Sequence, residues 1–97
     1  MAEFILLMHD DVGAYDESAW GPYFQTLRKS SRFDGGSVIG EGLCARKSGV
    51  IPGITKHLAG YIRVNADNID HAKSLLAGNP HFEAGGTVEI RELPRTS

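Results

Sequence analysis

The sequence lacks several features that would point at once to a function class. Its single cysteine, Cys44, excludes an internal disulfide and a thiolate metal cage. Its longest apolar run, from Phe4 to Met8, is far too short to span a membrane. The 10 basic residues do not outnumber the 12 acidic ones, so the net charge of −2 argues against nucleic acid or an anionic membrane as a partner. The first residues also lack the basic start of a secretory signal, and we therefore expect a cytoplasmic protein.

The chain contains no internal repeat, low-complexity tract or block of like charge. A second hydrophobic core would have too few residues in a chain of 97, so we predict one domain, residues 1–97. A single core of this size leaves a monomer only marginally stable, and association with a second copy is a simple remedy.

Four segments have the apolar spacing of strands. The first, residues 4–8, is apolar at both parities, which is typical of a central strand. The second is predicted at residues 37–45, after a turn formed by Asp34, Gly35 and Gly36. The third and fourth, residues 61–66 and 87–93, alternate between aliphatic and polar side chains.

Two helices are predicted between these strands. The first carries one apolar stripe, formed by Trp20, Tyr23, Phe24 and Leu27. Its start is open, because Pro22 either kinks the first turn or begins the regular helix. The second is capped by Asp67 or Asn68 and ends near Gly78. The resulting order, β-α-β-β-α-β, indicates a ferredoxin-like α+β fold: an antiparallel four-stranded sheet with two helices on one face.

This order brings distant histidines to one edge of the sheet. His9 and Asp10 follow the first strand, His57 precedes the third, and His81 precedes the fourth, whereas His71 is expected on a helix surface. A histidine beside a carboxylate can act as an acid or base near neutral pH. We therefore predict a catalytic site of His9 as base, Asp10 as its orienting group and His81 as a proton relay; solvated loop residues are the alternative. No two of these residues have a short metal-binding spacing, so we expect no metal and no other cofactor.

Two helices can cover only one face of such a sheet. In the last two strands, alternate residues that point to the other face are mostly polar: Tyr61, Arg63, Asn65, Thr87, Glu89 and Arg91. We predict that two copies associate through this face and enclose a space between their sheets. The arginines would either pair with glutamates across strands or hold an anionic ligand. The candidate ligand-binding residues are His57, Tyr61, Arg63 and Arg91.

A series of short motifs spans nearly the whole chain. They are the apolar first strand running into His9-Asp10-Asp11, Trp20-x-x-Tyr23-x-x-x-Leu27, Gly36, Gly60-Tyr61, Ala66-Asp67-x-x-Asp70-x-Ala72, Asn79-Pro80 and Gly86-Thr87-Val88-Glu89-Ile90-Arg91. In this order and spacing the sequence resembles the YCII-related proteins, and among them the branch called DGPF-domain proteins. The resemblance implies a dimeric α+β barrel, in which two ferredoxin-like units pack sheet to sheet.

Two positions depart from the pattern of that family. The Asp-Gly-Pro-Phe tetrapeptide of the branch is replaced by Val50-Ile51-Pro52-Gly53. Some YCII-type members are thought to use a His–Asp pair whose acid lies in an Asp-Pro turn, and here that turn is Asn79-Pro80. The His9–Asp10 pair is therefore a substitute that we infer from topology.

These observations lead to two hypotheses about function. The first is a homodimeric barrel that binds a small anionic or aromatic molecule; as an enzyme it would perform cofactor-free lyase or isomerase chemistry with its edge histidines. The second is a non-catalytic accessory or regulatory protein in transcription control, because proteins resembling this branch are associated with alternative sigma factors. Cofactor-free oxygenation on the same barrel would require a more apolar pocket than the polar parity suggests.

Overall fold

The computed structural model describes residues 1–95 and shows an α+β fold. Its elements are β1 (Ala2–His9), α1 (Trp20–Lys29), β2 (Phe33–Val38), β3 (Leu58–Ala66), α2 (Ile69–Ser74), α3 (Pro80–Glu83) and β4 (Val88–Leu93), with a 3-10 turn at Glu17–Ala19. The four strands form one antiparallel sheet in the order β2-β3-β1-β4. The predicted α+β fold with an antiparallel four-stranded sheet is confirmed, and the arrangement is compatible with a ferredoxin-like fold. None of the helices in residues 1–95 has the length and apolar character needed to cross a membrane.

The helix count differs from the prediction, because the described residues contain three α-helices instead of two. The extra one, α3, is a single turn in the segment expected to be a loop before the last strand. The Asn79 side chain caps it by accepting a hydrogen bond from the Phe82 N–H at 3.0 Å. Pro80 occupies its first position, where no backbone donor is needed. Asn79 and Pro80 thus start a helix, whereas the preceding helix α2 ends at Ser74, before the predicted end near Gly78.

The start of α1 resolves the alternative that Pro22 left open. The helix begins at Trp20, directly after the 3-10 turn, so Pro22 is its third residue. The first four N–H groups of a helix have no partner within it, and a proline there removes no hydrogen bond. Tyr23 and Leu27 are buried and Trp20 and Phe24 partly so, as the apolar stripe predicted.

The second strand was placed wrongly, since β2 covers residues 33–38 and not 37–45. Its pairing with β3 runs from Phe33 opposite Val64 to Val38 opposite Gly60, with an irregularity before Gly36. After one further backbone hydrogen bond, from Ile39 to Ala59, the chain leaves the sheet. The apolar residues beyond that point are not buried, and the glycines at 40 and 42 disfavour a strand.

The sheet has one buried face and one partly exposed face. The buried face supplies Phe4, Leu6, Ile62 and Val64 to the core against α1 and α2. The other face, which we call the open face, is defined by Glu3, Ile5, Leu7, His9, Ala59, Tyr61, Arg63, Asn65, Glu89, Arg91 and Leu93. All of these residues remain at least partly exposed.

Candidate functional site

The end of β1 places His9 on the open face, beside the neighbouring strand β4. The His9 backbone N–H donates to the Thr87 carbonyl at 2.9 Å, which holds the end of β1 against the start of β4. The His9 Nε2 atom lies 2.9 Å from Oε1 of Glu89. The two side chains keep 23% and 34% of their surface exposed, so the pair is accessible from the open face.

Glu89 is itself held by a third residue. The Arg91 Nη1 atom lies 3.1 Å from Oε2, the other oxygen of the Glu89 carboxylate. The hydrogen bond with His9 holds the pKa of Glu89 below its usual value, and the contact with Arg91 lowers it further. Because an ionised carboxylate can only accept, a neutral His9 donates through Nε2 and keeps its lone pair on Nδ1.

The structure brings His57 to the same place, and Asp10 contributes through its backbone. The rings of His9 and His57 meet edge to face, with centroids 5.0 Å apart. The Asp10 N–H donates to the His57 carbonyl at 2.7 Å, which ties the two segments together. The carboxylate that reaches His9 is that of Glu89, from the opposite strand.

His81 lies on the helix-covered side of the sheet, near a different carboxylate, that of Asp11. It is only 3% exposed, and its Nε2 atom has no hydrogen-bond partner within residues 1–95. That atom is 3.7 Å from Oδ1 of Asp11, too far for a hydrogen bond. Asp11 instead accepts two bonds from Thr87, from its N–H at 2.9 Å and its hydroxyl at 2.5 Å. These two bonds lower the pKa of Asp11, and the charges of His81 and His9 lower it further.

Next to His81 is a cavity of about 470 Å³ between α1 and strands β2 and β3. We call it the aromatic cavity; its walls include Met8, Tyr15, Trp20, Phe24, Tyr61 and His81. The Trp20 and Phe24 rings are stacked at 5.4 Å, and Tyr15 meets His81 edge to face at 6.3 Å. Its volume lies within the range of small-molecule sites, roughly 300–1,000 Å³.

The two arginines expected to bind an anion have different surroundings. Arg91 belongs to the His9 cluster through Glu89. Arg63 pairs with Glu3 at 3.6 Å, away from the histidines, because its partner in the β1 register is Ile5. Tyr61 is among the residues around the aromatic cavity, although the strand register places its side chain on the open face.

Sequence reasoning missed the roles of Glu89 in the histidine cluster and of Tyr15 and Trp20 as cavity walls. Glu89 pairs with Leu7, two residues before His9, and only this register, which alternation does not determine, indicates the first role. For Tyr15 there was no signal, since it lies in an irregular segment between β1 and α1. Among residues 1–95, no three potential metal ligands are grouped around a common point.

A scan against protein-family models and a search of the curated proteins each found no match to this chain.

Proposed function

We propose that this chain is a small-molecule-binding protein similar to the YCII-related family, in its DGPF-domain branch, and that it performs acid–base chemistry as a homodimer. The observation that carries the proposal is the 2.9 Å contact between His9 and Glu89, with Arg91 on the other carboxylate oxygen. A carboxylate that fixes the tautomer of a histidine and stabilises its protonated form is a common arrangement for a general base.

The chemistry follows from the positions of the protons. With Nε2 donating to Glu89, Nδ1 of His9 would accept a proton from an acidic carbon of the substrate. Glu89 would stabilise the imidazolium, which then returns the proton to another atom of the substrate, as in an isomerase, or to a leaving group, as in a lyase. Arg91 has further free donors and is largely exposed, so it would attract a small carboxylate to the site.

A second copy would complete this site. The His9 cluster is on the open face, where Ile5 and Leu7 are also partly exposed in the middle of the sheet. Packing two such faces together would bury these apolar side chains and enclose the histidines, as in the dimeric barrel implied by the resemblance. Excluding water in this way would strengthen the electrostatic effect of Glu89 on His9.

The test is proton exchange, because it requires no knowledge of the complete reaction. A panel of small 2-oxo acids is incubated with the protein in D₂O, and exchange of their acidic C–H protons is followed by NMR. We expect exchange by the wild type, its loss in His9→Ala, and a reduction of about 10²-fold or more in Glu89→Gln. Glu92→Gln, on the same strand but the opposite face, is the matched control and should exchange like the wild type. Equal rates for Glu89→Gln and the wild type would show that the pair has no role in proton transfer.

A second candidate is a non-catalytic accessory protein, and one observation favours it. Three aliphatic side chains are strongly exposed: Val38, at the end of β2, at 82%, and Leu43 and Val50, between β2 and β3, at 83% and 84%. Exposed apolar side chains mark a protein-binding surface where they form a contiguous patch. An absence of exchange activity over the whole panel, with a properly folded wild type, would favour this candidate.

A further inference from the structure

The aromatic cavity is a separate feature from the His9 cluster. It lies on the helix-covered side of the sheet, where Met8 and Ile62 belong to the buried face. His9 and Glu89 are on the open face and are not among its walls. What binds in the cavity is therefore a question independent of the proposed acid–base function.

The walls of the cavity favour a flat molecule. Trp20 and Phe24 present stacked rings from one side, and Trp20 also meets Tyr23 edge to face at 6.0 Å, which fixes its orientation. Rings that are already held by neighbours lose little freedom when a ligand packs against them. Aromatic pairs at such distances add attraction beyond the burial of apolar area.

Tyr15 supplies the polar anchor. The Trp20 indole N–H donates to the Tyr15 hydroxyl oxygen at 3.2 Å. Within residues 1–95 the structure shows no acceptor for the hydroxyl's own proton. A hydroxyl that already accepts a hydrogen bond is a stronger donor, so Tyr15 is suited to a carbonyl or similar oxygen on a ligand.

The charge at the cavity favours a neutral ligand. Glu17, at the 3-10 turn before α1, is one of the lining residues and is exposed. No lysine or arginine is among the lining residues. His81, also in the wall, is only 3% exposed.

We propose that the aromatic cavity binds a small, flat, uncharged aromatic molecule whose oxygen accepts a hydrogen bond from Tyr15. The cavity has room for one or two fused rings with a short substituent. This differs from the anionic ligand considered for Arg91, both in its charge and in the side of the sheet on which it lies.

The single tryptophan makes the test direct, because Trp20 gives the only indole N–H signal in a ¹H–¹⁵N spectrum. Three probes of similar size are titrated: acetophenone, ethylbenzene and benzoate. We expect a saturable shift of the Trp20 signal, with acetophenone binding more tightly than the other two. Ethylbenzene lacks the acceptor, and benzoate carries the charge that Glu17 repels.

Two variants identify the interactions. Tyr15→Phe should weaken acetophenone about three- to ten-fold and leave ethylbenzene unchanged, the effect of losing one hydrogen bond. Glu17→Gln should improve benzoate about two- to five-fold, whereas Glu41→Gln, an exposed acid outside the cavity, should not.

Three results would overturn the proposal. One is the absence of a saturable Trp20 shift with any probe. Another is an unchanged acetophenone affinity in Tyr15→Phe. The third is a Trp20 signal that moves on dilution of the protein alone, which would show that a second copy fills the cavity.

Discussion

Gly86 is the position at which a single methyl group should test how firmly His81 is held. A Cβ atom at this position would overlap the His81 ring, at Nε2 and Cδ2. The ring has little room to move, because His81 is 3% exposed and the Gly86 N–H is bonded to the His81 carbonyl at 2.9 Å. Gly86 does not have a positive φ, so alanine is acceptable to the backbone there. The cost of Gly86→Ala is therefore steric.

The expected loss of unfolding free energy in Gly86→Ala follows from overpacking. A methyl group forced into a filled site typically costs about 1–3 kcal/mol of unfolding free energy. In a His81→Ala background the ring is gone and the methyl group occupies the space it leaves. There Gly86→Ala should cost less than about 0.5 kcal/mol, so the double-mutant cycle should give a coupling of about 1–3 kcal/mol.

Urea unfolding of the four proteins measures this coupling, at one fixed protein concentration so that association does not enter the comparison. Gly85→Ala is the matched control: its φ of +94° makes alanine strained, but nothing lies within 4 Å of the added Cβ. Its cost, about 1–2 kcal/mol, should be the same with and without the His81 ring. Additive free energies for Gly86→Ala and His81→Ala would refute the contact.

Two further predictions concern the core and the open face. The Tyr23 hydroxyl donates to the Leu75 carbonyl at 2.7 Å, so Tyr23→Phe should cost about 1–2 kcal/mol in urea unfolding. Burial raises the pKa of Tyr23, so its ionisation favours the unfolded chain. The excess unfolding free energy of the wild type over Tyr23→Phe should therefore shrink as the pH rises above 10. An excess that stays constant with pH would contradict this. If two open faces pack together, Leu7→Lys should sediment as a monomer and Asp70→Lys, on α2, as a dimer like the wild type. Equal sedimentation of both variants would contradict that arrangement.

Periodicity was sufficient for the parts of the fold that bury a regular stripe. Ile62 and Val64 are buried as their alternation predicted, and the α1 stripe faces the core. It failed for β2, because that strand lies at the edge of the sheet and is held by backbone pairing with β3 more than by buried side chains. An edge strand with Gly35 and Gly36 has little apolar pattern to detect, and the exposed Leu43 supplied a false one.

The candidate site was predictable only as far as topology determines it. The strand order was enough to expect His9 and His57 at one edge, and their rings are 5.0 Å apart. The partner of His9 depends on the β1–β4 register. A shift of that register by two residues would keep the same alternation of faces, so the sequence pattern does not determine it. The observed register brings Glu89 to His9. The burial of His81 depends on the short helix α3 and on the close approach of Gly86, neither of which has a periodic signal.

Disruption of the proposed dimer should affect the two candidate sites differently. The His9 cluster is on the open face, with Glu89 one-third exposed, and in a single chain water has access to it. The walls of the aromatic cavity, in contrast, all come from one chain. Leu7→Lys should therefore abolish proton exchange while leaving the acetophenone-induced shift of Trp20 intact. Loss of both properties in a folded monomer would mean that the two sites depend on a common element, for which Asp11, near both His9 and His81, would be the first residue to examine.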